Sequence, residues 1–362
     1  MKNVNASISE LPPYVPSALN DETSSVASFT DVLQLACNEN PRGPSPAVLH
    51  ALRSAQGTLN RYPDSDGIRL KTQLAERLGV STHQITLGSG SSGVLDLITR
   101  VALSPNSETI VDEYCFTLYP ILIRTAHGRV VSVPAKNWKI DFSALLDAVT
   151  EKTRLIFITN PGNPLGTCVE KAELITFLDA LPKRVWLVMD EAYMEYVQTP
   201  NFPNSIQICQ AYPNVILTRT FSKVYGLASL RVGYGIASDS MTEMLNRVRP
   251  PFNVNSLALV AAEVALQDSQ YVAECIELNE TGRVYLYREF ERMGLEYLCS
   301  QTNFITLDCG REAASINQDL KKQGVVVRTL ANYNLPNHLR VTIGLPEENE
   351  RFVVALQHAL LR

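Results

Sequence analysis

The chain has 362 residues, of which 45% are hydrophobic and 19% are charged, and its formal net charge is −5. This length and composition suit two closely packed globular domains with ample core. The small negative charge argues against nucleic acid or an anionic membrane as a partner.

Cysteine usage points to a reducing compartment. The seven cysteines are widely spaced, odd in number and form no C-x-x-C pair, which predicts free thiols. The five scattered histidines form no metal-binding pattern, so we expect no metal site. The polar start lacks the apolar segment of a signal peptide, and no run is long enough to span a membrane. We therefore expect a cytoplasmic protein.

The first elements in chain order are an arm, a strand and two helices. Residues 1 to about 30 are expected to form an arm, whose proline-rich stretch 11–16 is apolar enough to lie across a surface. A short strand over 32–35 follows. The hydroxyl of Ser45 is expected to cap the first helix, and an amphipathic helix is predicted over 68–78.

Five short apolar runs then alternate with helical stretches. Such runs, bounded by turns, predict an α/β fold with a mostly parallel sheet covered by helices. Ligands of such sheets bind outside the carboxyl ends of the strands, so the loops that follow the runs should converge on one crevice. The runs cover residues 84–87, 109–111, 155–158, 185–189 and 215–217.

The C-terminal third changes character. A long helical tract is predicted from 254 to about 293, and the strands and helices after it predict a smaller α+β domain. Strands are expected at 304–307, 325–327 and 339–343, with a final helix over 347–361. The predicted division is an N-terminal arm over 1–40 that joins the small domain, a large domain over 41–265 and a small domain over 266–362.

The stretch 218–231 follows the fifth apolar run and contains Lys223. A desolvated lysine amine can form a Schiff base with an aldehyde. Two hydroxyls, of Thr220 and Ser222, and the forked cation of Arg231 are suited to a phosphate dianion. An aldehyde and a phosphate on one ligand indicate pyridoxal 5′-phosphate (PLP), although a surface loop with an ordinary lysine has the same residues.

Other loops carry groups that match the remaining parts of PLP. The glycine-rich loop 88–93 joins a strand to a helix, where an anion can bind. Asp190 ends the most apolar strand and could pair with a pyridinium N–H, or it could cap the next helix. Tyr193 and Asn163 could contact the phenolic oxygen, and Phe116 could stack on the ring. Each alone could serve packing or a turn, but their combination favours a PLP site.

Four motifs resemble those of the fold-type I, class I/II PLP-dependent aminotransferases: residues 160–164, 190–193, 222–223 with Arg231, and 339–344. Within this family the chain is similar to the histidinol-phosphate aminotransferases. The sequence motifs of that subgroup match residues 11–16, 38–41, 61–64, 302–305 and 346–352. The resemblance covers essentially the whole chain.

The resemblance implies three catalytic residues. Lys223 would carry the cofactor and serve as the base for proton transfer, Asp190 would pair with the pyridine nitrogen, and Tyr193 would hold the phenolic oxygen together with Asn163. Phe116 would stack on the ring. The cofactor phosphate would be bound by Gly90, Ser91, Thr220, Ser222 and Arg231.

The resemblance also implies a partner and a substrate site. Tyr62 would reach the cofactor phosphate of a neighbouring subunit, so a homodimer with shared active sites is expected. Arg340, Arg328, Tyr14 and Asn163 would bind a small-molecule substrate, with the arginines at its anionic end.

The implied activity is the transfer of an amino group between an amino acid or amino-alcohol phosphate and a 2-oxo acid, with histidinol phosphate and 2-oxoglutarate as the first candidate pair. The chain departs from the family at Ser92 and Gly93, where an acidic pair is usual, at Leu165 instead of threonine, and at Ser229 instead of glycine. These departures leave open a PLP-dependent lyase, cyclase or oxidase acting on a modified amino acid in secondary metabolism.

Overall fold

The computed structural model describes residues 32–361. In this range the strands are β1 (Leu33–Gln34), β2 (Ile85–Gly88), β3 (Glu108–Asp112), β4 (Arg129–Val133), β5 (Thr153–Thr159), β6 (Trp186–Asp190), β7 (Val215–Thr220), β8 (Gly233–Ile236), β9 (Phe304–Asp308), β10 (Val325–Val326), β11 (Arg328–Leu330) and β12 (Leu335–Thr342). The α-helices span Pro46–Ala55, Ile68–Leu78, Gly90–Ala102, Leu118–Thr125, Phe142–Asp147, Lys171–Ala180, Ser205–Ala211, Asp239–Val248, Ser256–Gln267, Ser269–Arg292, Ala313–Lys322 and Pro346–Leu360.

A seven-stranded sheet in the order β2-β8-β7-β6-β5-β3-β4 forms the larger part of the molecule. Only β8 runs against the other strands of this sheet. Both faces are buried under helices: along β6, Leu187 and Met189 pack into one core and Val188 into the other. The predicted mostly parallel sheet covered by helices is therefore confirmed.

Strands β4 and β8 were absent from the sequence prediction. Strand β8 contains two glycines, which weaken a strand pattern. A Cβ on Gly233 would lie 2.4 Å from the backbone nitrogen of Ser91, and one on Gly235 would lie 2.6 Å from the side chain of Val94. The glycines are present because the helix Gly90–Ala102 lies directly on this strand.

The helical tract predicted from 254 to 293 consists of two helices, Ser256–Gln267 and Ser269–Arg292. The prediction of one continuous tract was therefore wrong. Asp268 separates the two helices, and its carboxylate accepts a hydrogen bond from the backbone N–H of Tyr271 (3.2 Å), which caps the second helix. Near its start this helix packs Cys275 into the large core, and near its end it packs Phe290 into a second core. It thus connects the two parts of the molecule.

The second core surrounds an antiparallel sheet in the order β11-β12-β9. The helices Ala313–Lys322 and Pro346–Leu360 cover this sheet and contribute Ile316 and Phe352 to the core. The pairing of β1 with β10 places Leu33 in the same core. The chain therefore passes from the small sheet into the crevice between the two parts through residues 36–40.

Among the helices of residues 32–361, none is both long and apolar enough to cross a membrane.

Candidate active site

Polar side chains at the carboxyl ends of three adjacent strands point to one face of the large sheet. Thr159, Asp190 and Thr218 are direct neighbours in the register of β5, β6 and β7. Thr159 and Asp190 border a cavity of about 250 Å³ between the two sheets. The predicted site residues that line this cavity are Ser91, Phe116, Asn163, Asp190, Tyr193, Thr220, Ser222, Lys223, Arg231, Arg328 and Arg340.

The carboxylate of Asp190 is buried, with 3% of the residue exposed. One oxygen accepts a hydrogen bond from the Tyr119 hydroxyl (3.0 Å) and the other from the Thr218 hydroxyl (3.1 Å). Burial raises the pKa of Asp190 to about 6, although both hydrogen bonds favour the ionised form. A buried carboxylate that faces a cavity is suited to pair with a cationic N–H of a ligand.

Lys223 reaches into the cavity from the loop after β7. Its Nζ donates a hydrogen bond to the carbonyl oxygen of Cys37 (3.3 Å) and lies 5.4 Å from the ring centre of Tyr193. Removal from water is the largest cause that lowers the pKa of Lys223 to about 8, and the positive charges of Arg340 and Arg231 contribute to this lowering. A substantial share of the amine is therefore neutral near pH 8, as a nucleophile requires.

The Tyr193 hydroxyl lies where two side-chain amides meet. It accepts hydrogen bonds from the Nδ2 atoms of Asn38 (2.9 Å) and Asn163 (3.4 Å), which leaves its own proton available to a ligand. Sequence patterns assign Asn38 no role of its own, because its contact with Tyr193 joins residues that are 155 positions apart.

A cradle is formed by four groups: the hydroxyls of Thr220 and Ser222, the guanidinium of Arg231 and the N-terminus of the helix Gly90–Ala102. Arg231 donates to the hydroxyl of Ser222 (3.2 Å), and the Thr220 hydroxyl donates to the same oxygen (2.9 Å). A Cβ on Gly90 would lie 2.4 Å from the Arg231 guanidinium, so only glycine allows this approach. Hydroxyls, a guanidinium and a helix N-terminus at one place are suited to a phosphate dianion.

Two arginines enter the cavity from the small sheet. Arg328 and Arg340 are cross-strand partners on β11 and β12. The Arg340 guanidinium donates to the side-chain oxygen of Asn163 and to the carbonyl oxygen of Ala36 (2.8 Å). Arg340 is 8% exposed and its Nε, also buried, makes no hydrogen bond within the described residues. These positive charges are suited to the anionic end of a substrate.

Residues 36–38 form a strap that contacts three of these side chains in succession. The carbonyl oxygens of Ala36 and Cys37 accept from Arg340 and Lys223, and the amide of Asn38 donates to Tyr193. The strap thus links the small sheet to the loops of the large sheet. Sequence patterns do not reveal it, since two of its three contacts are made by the backbone.

One predicted site residue of the described part of the chain lies away from the cavity. Tyr62 is 81% exposed and stacks on Phe252, with 4.5 Å between ring centres, so it does not line the cavity of its own chain. Tyr14 lies outside the described residues.

The departures from the family pattern fall in different surroundings. Ser92 lines the cavity. Leu165 instead packs into an apolar cluster with Leu330, Tyr333 and Leu335, between the two sheets. The leucine therefore serves contact between the two parts of the molecule.

The donor set fits PLP group by group. The buried carboxylate of Asp190 suits a pyridine nitrogen, the cradle suits a phosphate, the amine of Lys223 suits an aldehyde, and the hydroxyl of Tyr193 suits a phenolic oxygen. Each of these groups lines the same cavity.

Comparison with known proteins agrees with this chemistry. Residues 30–356 match the family described as aminotransferase class I and II. Two proteins named histidinol-phosphate aminotransferase are similar: one from Pseudomonas fluorescens is 48% identical, over 98% of this chain and 96% of that protein, and one from Nitrosococcus oceani is 44% identical, also over 98% and 96%.

Solved structures share the fold. The histidinol-phosphate aminotransferase of Sinorhizobium meliloti, crystallised in complex with pyridoxal-5′-phosphate, superposes with a TM-score of 0.86 at 31% identity, over 91% of this chain and 90% of that one. A putative histidinol-phosphate aminotransferase from Erwinia carotovora gives a TM-score of 0.85 at 26% identity, over 90% of this chain and 95% of that one.

Proposed function

Since the chain belongs to the class I and II aminotransferases, we propose that it is a PLP-dependent enzyme that transfers the amino group of histidinol phosphate to 2-oxoglutarate. The observation that carries this proposal is the single cavity that holds Lys223, Asp190, Arg231 and Arg340. The substrate follows from the similarity to relatives named histidinol-phosphate aminotransferase.

When bound, PLP would supply an electron sink for the bonds at the carbon that bears the amino group. Asp190 would hold the proton on the pyridine nitrogen, because a buried carboxylate favours a cationic partner. The hydroxyl of Tyr193 and the amide of Asn163 would hold the phenolic oxygen. Lys223 would carry the cofactor, and its released amine would remove and return the substrate proton, since its lowered pKa lets it act as a base near neutral pH.

The remaining cavity residues would fix the cofactor's position. Phe116 would cover one face of the ring. The phosphate would be held by the backbone at the start of the helix, where the free N–H groups and the helix dipole attract an anion, and by the cradle. The residues that we assign to the phosphate are Gly90, Ser91, Thr220, Ser222 and Arg231.

Arg340 and Arg328 would bind the anionic end of the substrate. Part of Arg340 is already engaged by Ala36 and Asn163, which fixes the direction in which the remaining donors point. From the resemblance, Tyr14 would join them. A phosphate dianion between two arginines gains charge-assisted hydrogen bonds that a neutral alcohol cannot make.

We also propose a homodimer with shared active sites. Tyr62 is exposed and stacks on Phe252, which is also exposed, and exposed apolar surface of this kind commonly marks protein interfaces. In the dimer Tyr62 would contact the partner's cofactor phosphate. The seven free cysteines suit a cytoplasmic enzyme.

A PLP-dependent lyase, cyclase or oxidase receives less support. Three departures motivate this alternative. Ser92 lines the cavity, Gly93 lies in the helix Gly90–Ala102, and Leu165 packs between the two sheets. The relatives with 44 to 48% identity are named as aminotransferases.

The test is a half-reaction followed by absorbance. The purified protein with PLP, given histidinol phosphate alone, should accumulate the pyridoxamine form, and 2-oxoglutarate should then restore the original spectrum. Histidinol without its phosphate should react with kcat/KM lower by at least about a hundredfold, because two charge-assisted contacts are lost. If product forms while the absorbance spectrum stays that of the original cofactor, the result would contradict transamination.

A further inference from the structure

Tyr119 is a fully buried tyrosine beside the cavity, and neither the sequence motifs nor the proposed roles include it. It lies in the first turn of the helix Leu118–Thr125 and has no exposed surface. Its ring stacks on Phe157 (4.7 Å between centres, 20° between planes), and the ring of Phe116 meets it edge-on (5.8 Å, 89°). With both contacts in place, the ring has little freedom, so its hydroxyl is held at a fixed point.

That point lies between two strand ends. The hydroxyl is 3.0 Å from Oδ2 of Asp190 and 2.6 Å from Oγ1 of Thr159. An ionised carboxylate can only accept hydrogen bonds, so Tyr119 must donate its proton to Asp190. Thr159 must then donate to the Tyr119 oxygen. The three residues form one directed chain of hydrogen bonds, from Thr159 through Tyr119 to Asp190.

This series of hydrogen bonds matters because the carboxylate of Asp190 is poorly solvated. Burial raises the pKa of Asp190, while the donors Tyr119 and Thr218 counteract this by stabilising the ionised form. Burial and the nearby carboxylate raise the pKa of Tyr119 itself well above its ordinary value, so Tyr119 keeps its proton. If Asp190 took up a proton of its own, it could no longer hold a proton on a neighbouring ring nitrogen as an ion pair.

We infer that Tyr119 is a positioning residue, which orients the Asp190 carboxylate and keeps it ionised so that the cofactor's pyridine nitrogen stays protonated. The inference rests on the proposed PLP-dependent function. It gives the hydroxyl of Tyr119 a part in setting the electronics of the cofactor.

The test uses Tyr119→Phe, which removes one oxygen and keeps the ring contacts. The readout is the ¹⁵N NMR shift of the pyridine nitrogen in protein loaded with ¹⁵N-labelled PLP, which reports directly whether that nitrogen is protonated. Without the tyrosine donor Asp190 becomes more basic, so the shift should move toward that of unprotonated pyridine. The dissociation constant for PLP should rise about tenfold, as expected for one lost hydrogen bond to a charged group.

Tyr271→Phe is the matched control. Tyr271 is also buried, and its hydroxyl donates to the carbonyl oxygen of Gly43 (2.6 Å), away from Asp190. Its loss should leave the ¹⁵N shift unchanged. If Tyr119→Phe fails to fold, Thr159→Val replaces it, since this nearly isosteric change removes the donor to Tyr119 and should move the shift in the same direction by a smaller amount.

The outcomes separate this inference from the proposed function. A wild type that binds no PLP overturns the proposed function, and the inference with it. A wild type that binds PLP, with a ¹⁵N shift that is identical in Tyr119→Phe, or in Thr159→Val where that variant is used, overturns the inference alone. An equal change in Tyr271→Phe also overturns it, because loss of any buried hydroxyl would then suffice.

Discussion

The amine of Lys223 is desolvated and lies near the positive charges of two arginines. Its pKa of about 8 reflects burial first and then repulsion from Arg340 and Arg231. The apoprotein should therefore take up PLP faster as the pH rises from 6 to 9, in step with the neutral fraction of the amine. Replacement of Arg340 by methionine removes one repelling charge, so the pKa of Lys223 should rise and the pH–rate curve should move to higher pH.

Stopped-flow absorbance during PLP uptake measures this curve. The control is Arg247→Met, since Arg247 lies on a surface helix and pairs with Glu243, and its curve should coincide with that of the wild type. A curve for Arg340→Met that is unmoved, or that moves to lower pH, would contradict the assigned cause.

The sequence indicated the site residues that follow a strand. It did not indicate the residues that hydrogen-bond to them and hold them in place. Asp190, Asn163 and Lys223 follow apolar runs, so parallel-strand geometry alone places them at one edge of the sheet. Tyr119 and Asn38 act through contacts with Asp190 and Tyr193, and such contacts depend on how distant segments pack. No periodicity or spacing in the sequence records that packing.

Among the elements, the start of the helix Gly90–Ala102 has a strict local requirement. Gly90 has a φ of +71°, in the left-handed region, and faces the Arg231 guanidinium. Gly90→Ala should weaken PLP binding by more than about tenfold, because the new methyl displaces Arg231 from the cradle, and it should also cost about 1–2 kcal/mol of unfolding free energy through backbone strain.

The matched control is Gly79→Ala. Gly79 has a φ of +66° at a helix end, and a Cβ there would meet nothing within 4 Å. It should lose similar stability in thermal unfolding but keep its affinity for PLP in a fluorescence titration. Equal PLP affinity in the two variants would show that the close approach of Gly90 to Arg231 does not serve the cofactor.

Strand β8 and the helix break at Asp268 escaped prediction for different physical reasons. Strand β8 has glycines where a helix presses against it, so it lacks the run of large apolar residues that identified its neighbours. The break at Asp268 lies between two helices that both continue the apolar pattern, and only the hydrogen bond to Tyr271 shows that a new helix starts there.

For the whole molecule, the cavity depends on two cores being held together. The strap and the helix Ser269–Arg292 both pass from one core to the other. The strap lies just before the predicted domain boundary at residue 40, and this helix begins just after the predicted boundary at residue 265. The division into domains at these two residues stays a prediction.

The proposed shared active site predicts that two defective variants restore each other. Tyr62→Ala should damage the cofactor site of the partner, and Lys223→Ala should abolish its own. In a mixed dimer one site carries both defects and the other carries neither, so mixed dimers should recover about half of the wild-type activity. Assays of each variant alone and of the two co-expressed measure this recovery, and its absence would contradict the action of Tyr62 on its partner.

The role proposed for Lys223 is tested most directly by identifying the amine that carries the cofactor. The protein is loaded with PLP, treated with borohydride to fix the linkage, digested, and analysed by mass spectrometry. We expect one modified residue, Lys223, and no cofactor-derived adduct in Lys223→Ala. An adduct on another lysine, or no adduct in wild-type protein that has been loaded with PLP, would contradict this role.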